Sequence, residues 1–328
     1  MADLPTLLFI PGAWHQPACY DKVINIIQGH QHLRCTAIRL PSTTGNPSAT
    51  FKDDLDAARE AISNETTQGH NVVVIAHSYG GMVGNSAIKE FTSARDSTTN
   101  QTQQQTPTPT TGYVIGLILI ASGFTLTGLA FMDPVFGHPP PFWRANSASG
   151  YAEIVASPRE LFYHDLPAEE ARTWVSRLTT QSLKALFEGG DSAYAGWRDV
   201  PSWYIGTVED RGLPVFVQRM LVGMARGMNG SVEHRELQTS HSPFLSQPDA
   251  TAMAIREAVG VFRGQKGGRK EEAECIMRAH GDVIATPEVT LWRPGTCFVF
   301  GLPLTLGHIL GRCILLFGWG RRVWRSQS

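Results

Sequence analysis

The sequence predicts an α/β fold built on a mostly parallel sheet with helices on both faces, and three observations carry that prediction. Short continuous apolar runs, such as Val72 to Ile75 and YVIGLILIA over 113–121, have the length of strands buried on both sides. They alternate with segments whose apolar residues recur every three to four positions, as helices packed on such a sheet require. One strand run also stops abruptly at Ala76-His77-Ser78-Tyr79-Gly80-Gly81, a small-x-Ser-x-Gly turn that opens a helix. Such a turn forces the serine backbone into a strained conformation, so the positions two before and two after it must be small. Ala76 and Gly80 meet that demand, with Ala76 standing where Gly is usual.

In chain order, Thr6 to Ile10 reads as a buried strand running into Pro11-Gly12-Ala13-Trp14-His15-Gln16-Pro17. Tyr20 to Ile27 carries Val23, Ile26 and Ile27 at helical spacing, and Leu33 to Leu40 reads as a second strand closed by Pro41. Phe51, Leu55, Ala58 and Ile62 define an amphipathic helix with Ser48 or Thr50 as its cap. The elbow strand follows. Residues 92–110, TSARDSTTNQTQQQTPTPT, lack apolar periodicity and read as a disordered surface insertion, because the buried run at Tyr113 resumes at once.

Between residues 122 and 200 the strand rhythm disappears. This stretch holds Phe131, Phe136, Pro139, Phe142 and Trp143, then helical segments beginning near Pro158 and Leu166, the second presenting Trp174 and Leu178 on one face. A helical excursion between late strands is expected to form a lid over the carboxyl ends of the sheet. Its aromatics either line a substrate pocket or pack the lid itself; Trp143 and Trp174 are the substrate-binding candidates, with His15 at the pocket mouth. Pro201 to Thr207 and Val232 to Leu237 read as the last strands, separated by a helix over Val215 to Met228 with Phe216, Met220 and Met224 inward. A final helix after Pro248 presents Ile255, Ala258, Val259 and Phe262 and completes a domain over residues 1–264.

The chemistry-bearing residues sit just past strand ends. Ser78 is the candidate nucleophile, and a serine hydroxyl needs a general base near neutral pKa. His241, in the loop after the predicted last strand, can supply one. A carboxylate after the preceding strand, either Glu209 or Asp210, would fix the histidine tautomer. The order Ser, acid, His is that of the serine enzymes with this elbow. Backbone N–H groups of Ala13 and Tyr79 are expected to form the oxyanion hole. His77 is expected to point away from the nucleophile. The formal net charge of −1 gives no electrostatic footprint for nucleic acid. Five irregularly spaced cysteines form neither a disulfide framework nor a Cys-x-x-Cys pair, and no metal-ligand spacing is present. The N-terminus has no basic region, and its apolar run is too short for a signal peptide, so a cytoplasmic setting is the default expectation.

The PGAWH loop, AHSYGG, YIGTVEDRGLPVFVQRM and TSHSPFLSQP together resemble the serine α/β hydrolases over Leu7 to about Gly264. Within them the chain is most similar to the plant methylesterase and hydroxynitrile lyase group and to related small fungal hydrolases. The resemblance implies the α/β-hydrolase fold, esterase activity on small esters and no cofactor. It also selects Asp210 over Glu209, because the group's acid precedes a helix carrying a Gln, here Gln218. Hydroxynitrile lyases of the group need a Lys after the catalytic His and a Thr in the first loop; Ser242 and Gly12 stand there, which disfavours cyanohydrin cleavage.

The expected function is a serine esterase or lactonase acting on a small-molecule ester or lactone. The alternatives are non-hydrolytic lyase or cyclase chemistry with the same triad, and a ligand-binding receptor on the same fold. Residues 265–328 form an extension the resemblance does not reach. It reads as a membrane or partner-binding tail, a weakly ordered appendage, or sequence never selected to fold, with the last two weighing more than the first. Membrane contact is expected only through this tail, if at all.

Overall fold

In the computed structural model of the protein, residues 4–31, 33–93, 111–264, 284–287 and 294–327 are described. The core is a sheet ordered β2-β1-β3-β4-β7-β8-β9. Its strands are β1 (Thr6–Ile10), β2 (Cys35–Ala37), β3 (Val72–His77), β4 (Val114–Ile120), β7 (Ser202–Thr207), β8 (Val232–Leu237) and β9 (Ile284–Ala285). The first six are parallel, and β9 adds an antiparallel edge beside β8. Every residue of β1, β3 and β7 is buried, as strands covered on both faces must be. The register aligns Ile10 with Ala76, His77 with Ile120 and Thr207 with Leu237. The loops leaving β1, β3, β4, β7 and β8 therefore meet at one edge, where open α/β sheets bind ligands.

The helices follow the predicted periodicity. They include α1 (Asp21–Gln31), α2 (Phe51–Thr66) and α3 (Gly80–Ala87), and later α7 (Val215–Gly227), α8 (Pro243–Ser246) and α9 (Pro248–Phe262). Thr50 caps α2 through a reciprocal capping box with Asp53. The strand expected over 33–40 shortens to β2. The α7 helix meets the expectation at Met224, which is buried, but Phe216 is exposed and Met220 half-buried, while Gln218, Arg219 and Val222 face inward. Polar residues occupy the inner face because Arg219 pairs with buried Glu236 at 2.8 Å and Gln218 serves the loop after β7. Hydrophobic spacing alone could not show this.

The stretch expected as a helical lid contains the short helices α4 (Pro158–Phe162), α5 (Ala168–Ser176) and α6 (Leu183–Phe187). It also contains an unforeseen antiparallel hairpin of β5 (Trp143–Asn146) and β6 (Tyr151–Ile154). The hairpin turn is held by Asn146, whose side chain accepts the amides of Ala148 and Ser149, and by Gly150 at φ 77°. Strands of four residues are too short for a readable alternation. Residues 94–110 of the expected insertion and 265–283 of the extension lie outside the described residues. A last helix, α10 (Leu302–Gln327), packs along α7.

Candidate active site

Ser78 sits between β3 and α3 with φ 51°, a left-handed conformation that costs a non-glycine residue roughly 1–3 kcal/mol. The turn is pinned on both sides. Ser78 N–H donates to Ile120 O at 3.1 Å, and Ser78 O accepts from Gly81 N at 2.9 Å and Ser122 Oγ at 2.6 Å. Gly80 is obligatory, since a Cβ there would lie 2.4 Å from Pro11 O. Gly84 lets α3 cross Ala76 of β3, where a Cβ would come within 2.9 Å of the Ala76 methyl. Two other non-glycine residues with positive φ, Trp14 and Ala121, follow the ends of β1 and β4 and line the same cavity as Ser78.

That cavity has a volume of about 530 Å³. Ala13, Ser78, Tyr79 and His241 form part of its wall, and Met82, Met132, Phe142, Trp143, Leu186 and Met224 form much of the rest. No Asp, Glu, Lys or Arg among the described residues lines it. The backbone N–H groups of Ala13 and Tyr79 face no acceptor within the described residues. Gly12 lies directly beneath the nucleophile, where a Cβ would sit 2.9 Å from both Ser78 Cβ and His77 Nδ1.

Asp210, in the loop after β7, is buried and surrounded by donors. Oδ1 accepts from the amides of Gly212 at 2.7 Å and Leu213 at 2.8 Å. Oδ2 accepts from Thr207 Oγ1 at 2.7 Å and Gln218 Nε2 at 3.2 Å, and it faces His241 Nδ1 at 2.7 Å. Glu209 instead accepts from Gln238 Nε2 at the surface. The contact with Asp210 makes His241 Nδ1 the protonated nitrogen and leaves Nε2 as the basic one. Ser78 and His241 share the cavity wall.

Several residues that sequence reasoning passed over hold this arrangement. Asp165, between α4 and α5, accepts from Thr239 Oγ1 at 2.7 Å and Ser240 N at 2.9 Å, and so fixes the loop that carries His241. Burial of this carboxylate opposes ionisation, but those donors outweigh it and hold its pKa below the usual range. His77 donates Nε2–H to His241 O at 2.9 Å, beneath the ring rather than toward Ser78. Burial, with His241 and His15 nearby, keeps His77 neutral by holding its pKa well below the ordinary value.

The structure does not bring the remaining sequence candidates together. Trp143 reaches the cavity, packed at 6.2 Å against Trp14. Trp174 and His15 border a separate depression with Cys19 and Arg177, outside the Ser78 cavity. His15 is a support: its Nδ1–H donates to Ala13 O at 2.7 Å, and its Nε2 accepts from Tyr163 O–H at 2.9 Å. Burial lowers its pKa to about 4, so it is neutral near pH 7. Asp165 and Tyr163 left no trace in the sequence, because an isolated polar residue in an irregular segment carries no periodic signal. Among the described residues, no group of three or more His, Cys, Asp or Glu is arranged to hold a metal ion.

Comparison with known proteins agrees with this fold. A fungal protein, alpha/beta hydrolase nvfD of Aspergillus novofumigatus, is 26% identical over 259 residues, covering 78% of this chain and 97% of that protein. A pyrethroid hydrolase from Sphingobium faniae JZ-2 superposes with a TM-score of 0.58 at 20% identity, covering 78% of this chain and 98% of that one. Polyneuridine aldehyde esterase gives 0.58 at 15% identity, with 78% and 99% coverage. Residues 7–254 match the family model described as the alpha/beta hydrolase family, and with that span covering most of its length the chain belongs to that family.

Proposed function

We propose that this chain is a serine hydrolase that cleaves a neutral, largely apolar carboxylic ester or lactone through an acyl-enzyme, using only its own residues. The observation that carries the reading is the convergence, on one uncharged cavity, of a strained Ser78, two N–H groups without acceptors and a histidine oriented by a buried carboxylate. In this reading His241 Nε2 takes the Ser78 proton as Oγ attacks the ester carbonyl. The tetrahedral oxyanion lies between the Ala13 and Tyr79 amides, each contributing roughly 3 kcal/mol of transition-state stabilisation. His241 then delivers its proton to the leaving alkoxide. In the second half it deprotonates a water that attacks the acyl-enzyme, and the carboxylic acid leaves as Ser78 recovers its proton. Asp210 stays ionised throughout and stabilises the imidazolium.

The uncharged wall supports a neutral substrate, because a charged group would lose hydration without a partner. A fungal relative named an alpha/beta hydrolase is in keeping with hydrolysis, and a neighbour named for pyrethroid hydrolysis with this substrate class. The test is kcat/KM over p-nitrophenyl esters of increasing acyl length. Each methylene buried is worth about 0.8 kcal/mol, a gain of about fourfold, until the cavity fills. Ser78→Ala should lose about 10³-fold or more. Retention of turnover by Ser78→Ala would overturn the reading.

A further inference from the structure

The tail has a composition unlike the rest of the chain. After Glu288 the sequence holds five arginines and no acidic residue, so this segment carries +5 while the remainder carries −6. Its helix is also built into the fold. Gly223 and Gly227 of α7 meet α10 at Leu304 and His308, where an added Cβ would lie 2.1 Å and 2.4 Å from their carbonyl oxygens. Gly307 and Gly311 of α10 reciprocate, at 1.9 Å from Met220 O and 2.3 Å from Met224 O. Paired small-xxx-small stretches thus bring the two backbones into direct contact. Arg219 fastens the entry to the helix, donating to Val299 O at 2.9 Å with its guanidinium 4.3 Å from the Phe300 ring centroid.

Docking through Gly307 and Gly311 turns the opposite side of α10 outward. At about 100° per residue, Leu302, Leu306, Ile309, Leu310 and Leu316 fall within an arc of about 120° centred away from those glycines. Each is between 44% and 66% exposed. An apolar stripe of this kind normally faces a core, and an exposed one marks a partner surface. The segment Cys297–Gly318 is apolar enough to cross a membrane by composition, but one side of it is already committed to α7. The cavity lies on α7 too: Val217, Leu221 and Met224 line it, and Val217, Leu129 and Val135 are exposed apolar residues of its wall.

We propose that the outer face of α10 docks on the surface of an anionic lipid bilayer, with the helix in the plane of the interface and its apolar stripe among the acyl chains. The charge argues for this occupant over a second copy of the chain. Two identical stripes facing one another would bring two segments of +5 together, whereas anionic headgroups neutralise them. Arg312 and His308, exposed beside the stripe, lie at headgroup level in this arrangement.

The test is flotation of the full chain with vesicles of phosphatidylcholine alone and with 30% phosphatidylserine. Binding is expected with the anionic vesicles and should weaken at high salt. Leu306→Glu with Ile309→Glu should reduce it at least tenfold at unchanged Tm, since both positions are exposed. Ser78→Ala should float like the parent, so this result is independent of the catalytic reading. Three results would overturn the proposal: no flotation with anionic vesicles, full flotation of the double variant, or a lipid-free dimer that the double variant dissociates.

Discussion

Replacing Asp210 with Asn changes almost no volume but reverses the hydrogen-bonding character of half the side chain. Five donors surround the carboxylate, two on Oδ1 and three on Oδ2. An amide can present its oxygen to only one of these sides. With the oxygen toward the Gly212 and Leu213 amides, the new NH2 confronts Thr207, Gln218 and the His241 Nδ1–H. His241 then shifts its proton to Nε2 and presents a donor, not a base, to Ser78. The expected loss is roughly 10⁴-fold in kcat with KM little changed, or about 5.5 kcal/mol of transition-state stabilisation. Stability should fall less, by about 2–4 kcal/mol, because hydrogen bonds to a charged group are worth about 1.5–3 kcal/mol each and some re-form to the amide oxygen. The assay is steady-state hydrolysis of a p-nitrophenyl ester with thermal unfolding followed in parallel. Glu209→Gln, whose carboxylate holds only a surface glutamine, should remain within about twofold of the parent. Retention of more than a tenth of parental kcat by Asp210→Asn, or equal damage from Glu209→Gln, would refute the assignment of the acid.

Other expectations follow from the same geometry. Gly80→Ala forces a methyl to 2.4 Å from Pro11 O, so it should cost about 3 kcal/mol or more in unfolding free energy and abolish turnover, measured by denaturant titration and ester hydrolysis. Trp143→Ala should raise KM for long acyl esters several-fold, while Trp174→Ala, outside the cavity, should leave both kinetic constants within about twofold. Asp165 has a folded pKa below its unfolded value, so its contribution to stability is present above the unfolded pKa and lost as pH falls through the folded one. Asp165→Ala should therefore flatten the acid limb of the Tm-versus-pH curve, read by calorimetry between about pH 2 and 6. Gly311→Leu, placed against Met224 O, should release α10 to limited proteolysis while Ser78-dependent hydrolysis persists.

Most of the site was legible because its chemistry is tied to strand ends. The apolar run before Ser78 identifies β3, the small residues around it identify the turn, and β7 and β8 each end within a few residues of Asp210 and His241. The choice between Glu209 and Asp210 was not open to periodicity, since both follow the same strand; only the resemblance, through Gln218, separated them. The excursion over 122–200 was less readable. Its hairpin has strands too short to alternate, and its contribution to the cavity comes from scattered residues such as Met132 and Leu186 that only tertiary packing brings together. The inner face of α7 misled for a different reason: Gln218 and Arg219 are buried because each meets a specific partner, and hydropathy counts them as outward. In the tail, the glycines that seat α10 on α7 carry no signal in the sequence alone, because only the facing glycines of α7 give them a role.

The central claim is that Ser78 is the nucleophile of an acyl-transfer reaction in this cavity. Fluorophosphonate labelling of the full chain, followed by mass mapping of the modified peptide, tests it most directly. A single phosphonyl adduct on Ser78 is expected, formed at a rate that falls steeply in His241→Ala and accompanied by loss of ester hydrolysis in proportion to labelling. An unlabelled Ser78 in a folded chain that still hydrolyses esters would contradict it.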